Sequence, residues 1–190
     1  MSGRRSAFVA LLRGINVGAA GKGRRHVPMA PLRALAEELG WTDVRTYLQS
    51  GNLVFAASGT PAALAERLSA AIRDRFACDV PVVVRPARDI VQLADACPFA
   101  AAARARPKAV HFGVATGRLP STLAAAVAPY CTAGEHVVVQ GQVLWADYAN
   151  GVARSKLTPA VLDRAAGSPV TLRNLHTLHA IAALLGAGDR

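Results

Sequence analysis

The chain begins with a segment that is apolar at both sets of alternating positions. Between Ser6 and Arg13 the sequence reads SAFVALLR, so the two faces of an extended strand would both carry nonpolar side chains. Strands of this kind lie inside a sheet that is covered on both sides. We therefore predict that the first strand is central and doubly covered.

The rest of the first half alternates between helical and extended patterns. A loop rich in glycine and arginine, residues 14–28, separates the first strand from the next apolar pattern. After this loop we predict a helix that stops at Gly40 and carries on one side Leu32, Leu35, Ala36 and Leu39. Strands 44–49 and 53–57 follow, joined by a Ser50-Gly51-Asn52 turn. A second helix, capped by Thr60 with Pro61 in its first turn, buries Leu64, Leu68, Ile72 and Phe76, and a strand over 80–85 completes the half.

The same order of elements is predicted a second time. It follows a short helix near 88–96 and a loop rich in alanine, arginine and proline. The predicted elements are strand 109–115, helix 121–127, strands 135–140 and 142–148, a helix from Thr158 and Pro159 to Ala166, strand 169–173 and a last helix over 175–185.

The order β-α-β-β-α-β is that of the split βαβ, or ferredoxin-like, arrangement. We therefore predict an α+β protein made of two ferredoxin-like halves packed together, with an extra C-terminal helix. The predicted divisions are residues 1–87, a helix and linker over 88–107, and residues 108–190. Halves of this size bury a modest share of their surface and gain stability by packing on each other.

Composition excludes several classes of protein. The chain has 190 residues, of which 52% are hydrophobic and 18% charged, as in globular proteins. No apolar run approaches the roughly 20 residues that cross a bilayer, and the first run stops at Arg13 without an export signal. The three cysteines, Cys78, Cys97 and Cys131, form no CxxC pair, so we predict neither a disulfide framework nor a metal site. We predict a cytoplasmic location, where cysteines stay reduced.

The net charge of +10 comes almost entirely from arginine. It agrees with a basic surface that attracts phosphate groups, and equally with the codon bias of a GC-rich genome. Within the loop after the first strand, glycines accompany Asn16, Lys22, Arg24 and Arg25, a composition suited to an anion, or to a solvated loop. The spacing fits neither a P-loop nor a dinucleotide-binding GxGxxG motif.

Polar residues also cluster near the end of the chain. Arg154, Ser155 and Lys156 precede a helix, and Arg173 and Asn174 join the last strand to the last helix, where Asn174 suits an N-cap. Two histidines, His176 and His179, lie three positions apart on that helix, with no carboxylate or cysteine beside them, so we predict no metal site. The chain contains no HExxH, no GxSxG and no close carboxylate pair of the sort that general acid–base chemistry uses, so no reaction is indicated.

Four segments carry a resemblance to a known family. FVALLRGINVG, PMAPLRALAEELGWTDVRTYLQSGNLVF, YANGVARSKL and TLRNLHTL together resemble the bacterial domain-of-unknown-function family 1697. The resemblance implies a two-part α/β protein with ferredoxin-like halves and no established activity. It also implies that the following residues occupy family motif positions: Arg13, Gly14, Asn16, Thr46, Tyr47, Ser50, Gly51, Asn52, Ser155, Lys156, Thr171, Arg173 and Asn174.

This sequence departs from the family pattern at two places. Leu175 stands where the family often has Trp, and His176 where it usually has Asn. The segment Ala19–His26 is also longer than the pattern suggests. The changes at Leu175 and His176 weaken the prediction of a ligand contact from the start of the last helix.

Three functions agree with the sequence. The first is binding of a phosphate-bearing or otherwise anionic small molecule in a cleft between the halves, with these predicted ligand-binding residues: Arg13, Asn16, Ser50, Asn52, Lys156, Arg173 and Asn174. The second is nucleic-acid binding, which the basic charge favours and the covered first strand disfavours. The third is an enzyme that uses Ser50 or Lys156 as nucleophile. The sequence specifies no cofactor, membrane partner or oligomeric state.

Overall fold

The computed structural model describes residues 5–17 and 25–186. The chain divides into two compact units, Met1–Val91 with Ile181–Arg190, and Gln92–Ala180. Each unit contains a four-stranded antiparallel sheet. The protein is therefore α+β, with helices packed on two separate sheets.

In the first unit the strand order is β2-β3-β1-β4. Its elements are β1 (Ser6–Leu12), α1 (Met29–Glu38), β2 (Thr42–Tyr47), β3 (Asn52–Ala57), α2 (Pro61–Phe76) and β4 (Val82–Pro86), followed by α3 (Ala87–Asp95). The central β1 pairs with β3 on one side and β4 on the other, antiparallel to both.

The core of the first unit lies between its sheet and α1 and α2. Phe8 and Leu12 of β1 face this core, which leucines of both helices fill at helical spacing. Trp41 stacks on Phe55 with ring centroids 4.0 Å apart. On the opposite face of β1, Val9 and Leu11 are fully buried as well. The prediction that β1 is covered on both faces is confirmed.

In the second unit the strand order is β6-β7-β5-β8. Its elements are α4 (Ala100–Ala105), β5 (Val110–Ala115), α5 (Leu123–Val127), β6 (Glu135–Gln140), β7 (Val143–Tyr148), α6 (Pro159–Ala166) and β8 (Val170–Asn174), followed by α7 (Leu175–Gly186). Single 3₁₀ turns lie at Ala128–Tyr130 and Val152–Arg154. Leu144, Ala146 and Tyr148 of β7 face a core built with α5 and α6.

Side chains cap the helices where the sequence predicts caps. Thr60 accepts a hydrogen bond from the Ala63 N–H (3.2 Å), and Thr158 accepts one from the Val161 N–H (3.4 Å). Asn174 Oδ1 accepts the Thr177 N–H at 2.8 Å, at the start of α7. These bonds satisfy N–H groups that have no partner inside the helix. Within residues 5–17 and 25–186, no helix has the length and apolar character needed to cross a membrane.

Two of the differences between the structure and the sequence prediction have a local physical reason. The segment predicted as a loop after α3 contains the helix α4, because its run of alanines has the highest helix propensity. Strand β2 covers Thr42–Tyr47 rather than 44–49, because Leu48 adopts φ 58° and ends the strand early. Asp43, at φ 54°, forms a bulge that shifts the pairing of β2 with β3.

Gly51 in the β2–β3 turn provides a test of this packing. Its φ is 81°, and a Cβ there would lie 2.6 Å from Ile15 Cδ1 and 2.8 Å from Leu12 Cβ. Backbone strain and overpacking together predict that Gly51→Ala lowers the free energy of unfolding by about 2 to 4 kcal/mol. Gly141→Ala is the matched control, because Gly141 has φ 59° and no atom within 4 Å of the added Cβ. Its expected cost in urea unfolding is about 1 kcal/mol, and equal losses in both variants would contradict the packing argument.

Candidate functional site

The predicted site residues of the first half meet at one end of its sheet. The Leu12 N–H donates to Gly51 O and the Arg13 N–H donates to Pro81 O, both at 2.9 Å. These bonds place the end of β1 between the β2–β3 turn and the residues that precede β4. We call residues 13–17, 25–28, 48–52 and 77–81 the strand-end surface.

Asn16 fixes the geometry of the strand-end surface. Its Nδ2 donates to Gln49 O and to Val27 O, both at 2.8 Å, and its Oδ1 accepts the Val27 N–H at 2.9 Å. Its own N–H donates to Arg25 O at 2.9 Å. Both amide hydrogens are thus used by backbone carbonyls, so this side chain ties the β1–α1 loop to the β2–β3 turn.

The turn itself is closed by Asn52, which is fully buried. Its Nδ2 donates to Tyr47 O at 2.7 Å and to Ser50 Oγ at 3.2 Å. Ser50 is exposed at the tip of the turn. The predicted residues Asn16, Ser50 and Asn52 therefore lie together, and two of them hold backbone.

A cavity of about 600 Å³ opens on the strand-end surface, lined by Gly14, Val17, Arg25, Ala77, Cys78 and Asp79. The Arg25 guanidinium lies beside Gly14, since a Cβ built on that glycine would be 3.4 Å from Arg25 Nη1. Burial raises the pKa of the Cys78 thiol, and Asp79 adds to this while Arg25 opposes it. The raised pKa favours the protonated form of the Cys78 thiol.

The remaining part of the glycine-rich loop lies outside the described residues. This part, residues 18–24, includes Lys22 and Arg24, two of the cations predicted to hold an anion. It also includes most of Ala19–His26, the segment that is longer than the family pattern suggests. Among the described residues of that loop, Arg25 is the cation that lines the cavity.

In the second unit, Lys156 is exposed and follows a tightly held serine. The Ser155 hydroxyl donates to Glu135 Oε1 and accepts the Leu157 N–H at 3.0 Å. The Ala133 N–H donates to Glu135 Oε2 at 2.8 Å. The hydrogen bond from Ser155, with that from Ala133, holds the pKa of Glu135 below its usual value. The Ser155–Glu135 hydrogen bond fixes the loop that carries Lys156.

Arg173 and Asn174 end β8 with different surroundings. Arg173 Nη1 donates to Leu172 O at 2.8 Å, and burial lowers the pKa of the guanidinium to about 10. Asn174 uses its Oδ1 to cap α7. Of the candidates in the second half, Lys156 is thus an exposed cation and Arg173 a half-buried one.

Sequence reasoning missed Glu135. Its signal is the alternation of β6, in which Glu135 occupies the same face as Val137 and Val139, the face that packs on the core. A carboxylate at an inward position of a valine-rich strand needs partners, and Ser155 and the Ala133 N–H supply them.

The structure also describes the two histidines of the last helix and the aromatic residues of the first sheet. His176 and His179 are both exposed on α7, and His179 Nε2 lies 3.1 Å from Ala94 O. Phe8 and Phe55 are buried, with 5% and 1% of their surface exposed, so neither is available to stack on a base. This placement disfavours an RNA-binding platform on the first sheet.

The lowered pKa of Glu135 predicts a pH-dependent contribution to stability. A carboxyl group whose pKa is lower in the folded state stabilises the fold above its unfolded pKa and loses that effect as pH falls. The stability difference between wild type and Ser155→Ala should therefore be larger at neutral pH and shrink as pH falls through the folded-state pKa of Glu135. Guanidinium unfolding between neutral and acidic pH measures it, with exposed Ser121→Ala as a control expected to show a pH-independent difference. A Ser155→Ala difference that stays constant with pH would contradict the assignment.

Comparisons with known proteins agree with this architecture. A family model described as "Protein of unknown function (DUF1697)" matches residues 6–145. The conserved bacterial protein SP0830 from Streptococcus pneumoniae has a similar structure, with a TM-score of 0.71 and 23% sequence identity over 96% of this chain and 99% of that chain. No curated protein is significantly similar to the chain. Because the family model covers most of its length, the chain belongs to the DUF1697 family, whose function is unknown.

Proposed function

We propose that this protein binds a phosphate-bearing or otherwise anionic small molecule at the strand-end surface of its first unit. The observation that carries the proposal is the cavity of about 600 Å³ bordered by Gly14 and the Arg25 guanidinium, next to Arg13. Loops held by a rigid sheet are also where binding residues concentrate.

The charge at the cavity favours an anion. Asp79 also lines the cavity, but its carboxylate is paired with Arg73 at 2.5 Å. This ion pair offsets the one acidic charge among the lining residues, which leaves the Arg25 guanidinium as the charge offered to a ligand. Arginine binds phosphate oxygens through two parallel hydrogen bonds, which gives orientation as well as affinity.

Within this proposal Asn16 and Asn52 have a different role from the cations. Their amide hydrogens hold Gln49, Val27 and Tyr47 carbonyls, so they orient the loops around the ligand. Ser50, exposed at the turn, offers a hydroxyl to the ligand. A site whose loops are fixed before binding loses less entropy when the ligand arrives.

The contribution of Lys156, Arg173 and Asn174 to the same ligand stays a prediction from the sequence. Lys156 is exposed, so Lys156→Ala tests that contribution without removing buried packing.

We also propose that both halves are ferredoxin-like and that the protein is cytoplasmic. The strand orders β2-β3-β1-β4 and β6-β7-β5-β8, each with two helices in β-α-β-β-α-β sequence, support ferredoxin-like halves. The three free cysteines support a reducing cytoplasm.

Titration calorimetry with inorganic phosphate, pyrophosphate and ATP tests the binding proposal. We expect at least one of these probes to bind the wild type and to raise its melting temperature. Charge-assisted hydrogen bonds contribute about 1.5 to 3 kcal/mol each, so Arg25→Ala should weaken that binding roughly 10- to 100-fold. Arg13→Ala, at the edge of the same surface, should weaken it in the same direction.

Arg33→Ala is the matched control, because Arg33 is an exposed arginine on α1 and its loss changes the net charge equally. It should bind the probe as the wild type does. The proposal fails if no probe binds the wild type, or if Arg33→Ala weakens binding as much as Arg25→Ala. The second result would mean that the affinity comes from net charge alone.

A further inference from the structure

Edge strands expose unpaired backbone groups. In the two sheets that the structure describes, three of the four edge strands carry features that oppose pairing. Strand β2 has the bulge at Asp43, where the pairing register shifts. Strand β4 ends in Arg85 and Pro86. Strand β8 is five residues long and contains Arg173.

The fourth edge, β6, has none of these features. It covers Glu135–Gln140, sequence EHVVVQ, and pairs with β7 in unbroken register from Glu135↔Tyr148 to Gln140↔Val143. It contains no proline, glycine, lysine or arginine. Val137, Val138 and Val139 are half-buried, and His136 and Gln140 are exposed. This is the kind of strand to which another strand adds readily.

The direction of the backbone groups of β6 follows from one hydrogen bond. The Tyr148 N–H donates to Ala109 O, so the backbone groups of Tyr148 point toward β5 and away from β6. Backbone directions alternate along antiparallel strands, so in the register above His136, Val138 and Gln140 bond to β7. The N–H and C=O groups of Val137 and Val139 therefore point outward, to the open side of the sheet.

We infer that β6 is a self-association site, at which a second copy of this chain adds an antiparallel strand. A two-fold axis through Val138 places Val137 of one copy opposite Val139 of the other, so that their outward N–H and C=O groups bond to each other. The same register places His136 opposite Gln140 of the partner, and no like charges face each other. The sheet of the second unit in one copy and the same sheet in the partner copy would then form one continuous eight-stranded sheet.

A second copy fits this edge better than a charged peptide, because β6 offers only one carboxylate, and Ser155 and the Ala133 N–H already bind it. The pairing of one short strand buries less than the roughly 1,200 to 2,000 Å² of a stable interface, so the dimer should be weak and reversible. The net charge of +10 on each copy opposes association, so added salt should strengthen it. This inference does not depend on the proposed anion site.

Sedimentation equilibrium over a series of protein concentrations tests the inference, with the full chain and Val139→Pro. Proline at Val139 removes an outward N–H while leaving the β6–β7 ladder intact, so the variant should remain monomeric where the wild type dimerises. Thr46→Pro is the matched control on the bulged edge β2. Thr46 also directs its N–H outward, since Gly51 bonds to β1 and Asn52 therefore faces Tyr47. It should dimerise as the wild type does.

A charge pair keeps the inference testable if Val139→Pro fails to fold by circular dichroism. Because Val138 would face Val138 of the partner, Val138→Lys and Val138→Glu should each be monomeric alone through like-charge repulsion. Mixed in equal amounts they should form a heterodimer. A wild type that stays monomeric throughout, a Thr46→Pro that dissociates as Val139→Pro does, or a Lys–Glu mixture that stays monomeric would overturn the proposal.

Discussion

The carboxamide of Asn16 joins the two loops of the strand-end surface. Asn16 supplies two donors and one acceptor to backbone groups that belong to two loops, and one of its bonds spans 33 residues to Gln49. Only a side chain with both donors and an acceptor at this length can make these contacts. Without them the β1–α1 loop and the β2–β3 turn would lose the side-chain bonds that join them, and Arg25 would be held only through the backbone bond from the Asn16 N–H.

The positive φ values around this carboxamide show what the arrangement requires of the backbone. Asn16 itself has φ 54°, and Leu48 has φ 58° in the turn that Asn16 contacts. Asparagine tolerates this conformation, whereas for leucine it costs free energy. Leu48 is also 54% exposed, so burial of its side chain does not offset that cost. The hydrogen bonds of Asn16 and Asn52, with the bond from the Leu12 N–H to Gly51 O, help to hold the turn in this conformation.

In the second unit, other residues join the loop after the central strand to the neighbouring hairpin. At the equivalent end of its sheet the Thr116 N–H donates to Pro169 O, as the Arg13 N–H donates to Pro81 O in the first unit. There the Leu119 N–H donates to Gln142 Oε1, so a hairpin side chain ties down the loop after β5. In the first unit the loop supplies the side chain and the hairpin supplies the carbonyl. Both sheets thus need a side chain that joins the loop after the central strand to the neighbouring hairpin.

The sequence predicts the elements that local patterns determine. The doubly apolar β1 and the Thr60 and Thr158 caps are visible because burial and capping follow from neighbours in the chain. The role of Asn16 is not visible, because its partner Gln49 is brought near only by folding. The same holds for Glu135 and Ser155, 20 residues apart. Motif positions therefore predict which residues belong to the candidate site, while the tertiary contacts show that Asn16 and Asn52 hold backbone carbonyls.

Replacing Asn16 by aspartate tests the central claim most directly, because the two side chains have the same shape and differ in their donors. At neutral pH the variant places a carboxylate oxygen against the Gln49 and Val27 carbonyls, and the free energy of unfolding should fall by about 2 to 4 kcal/mol. The carboxyl group should have a raised pKa in the folded state, since its charged form is disfavoured there. The loss relative to wild type should therefore shrink as pH falls and the protonated group regains one donor. Asn150→Asp, which removes a single exposed bond to Ala133 O, is the control. An Asn16→Asp loss no larger than that of the control, and unchanged with pH, would contradict the account.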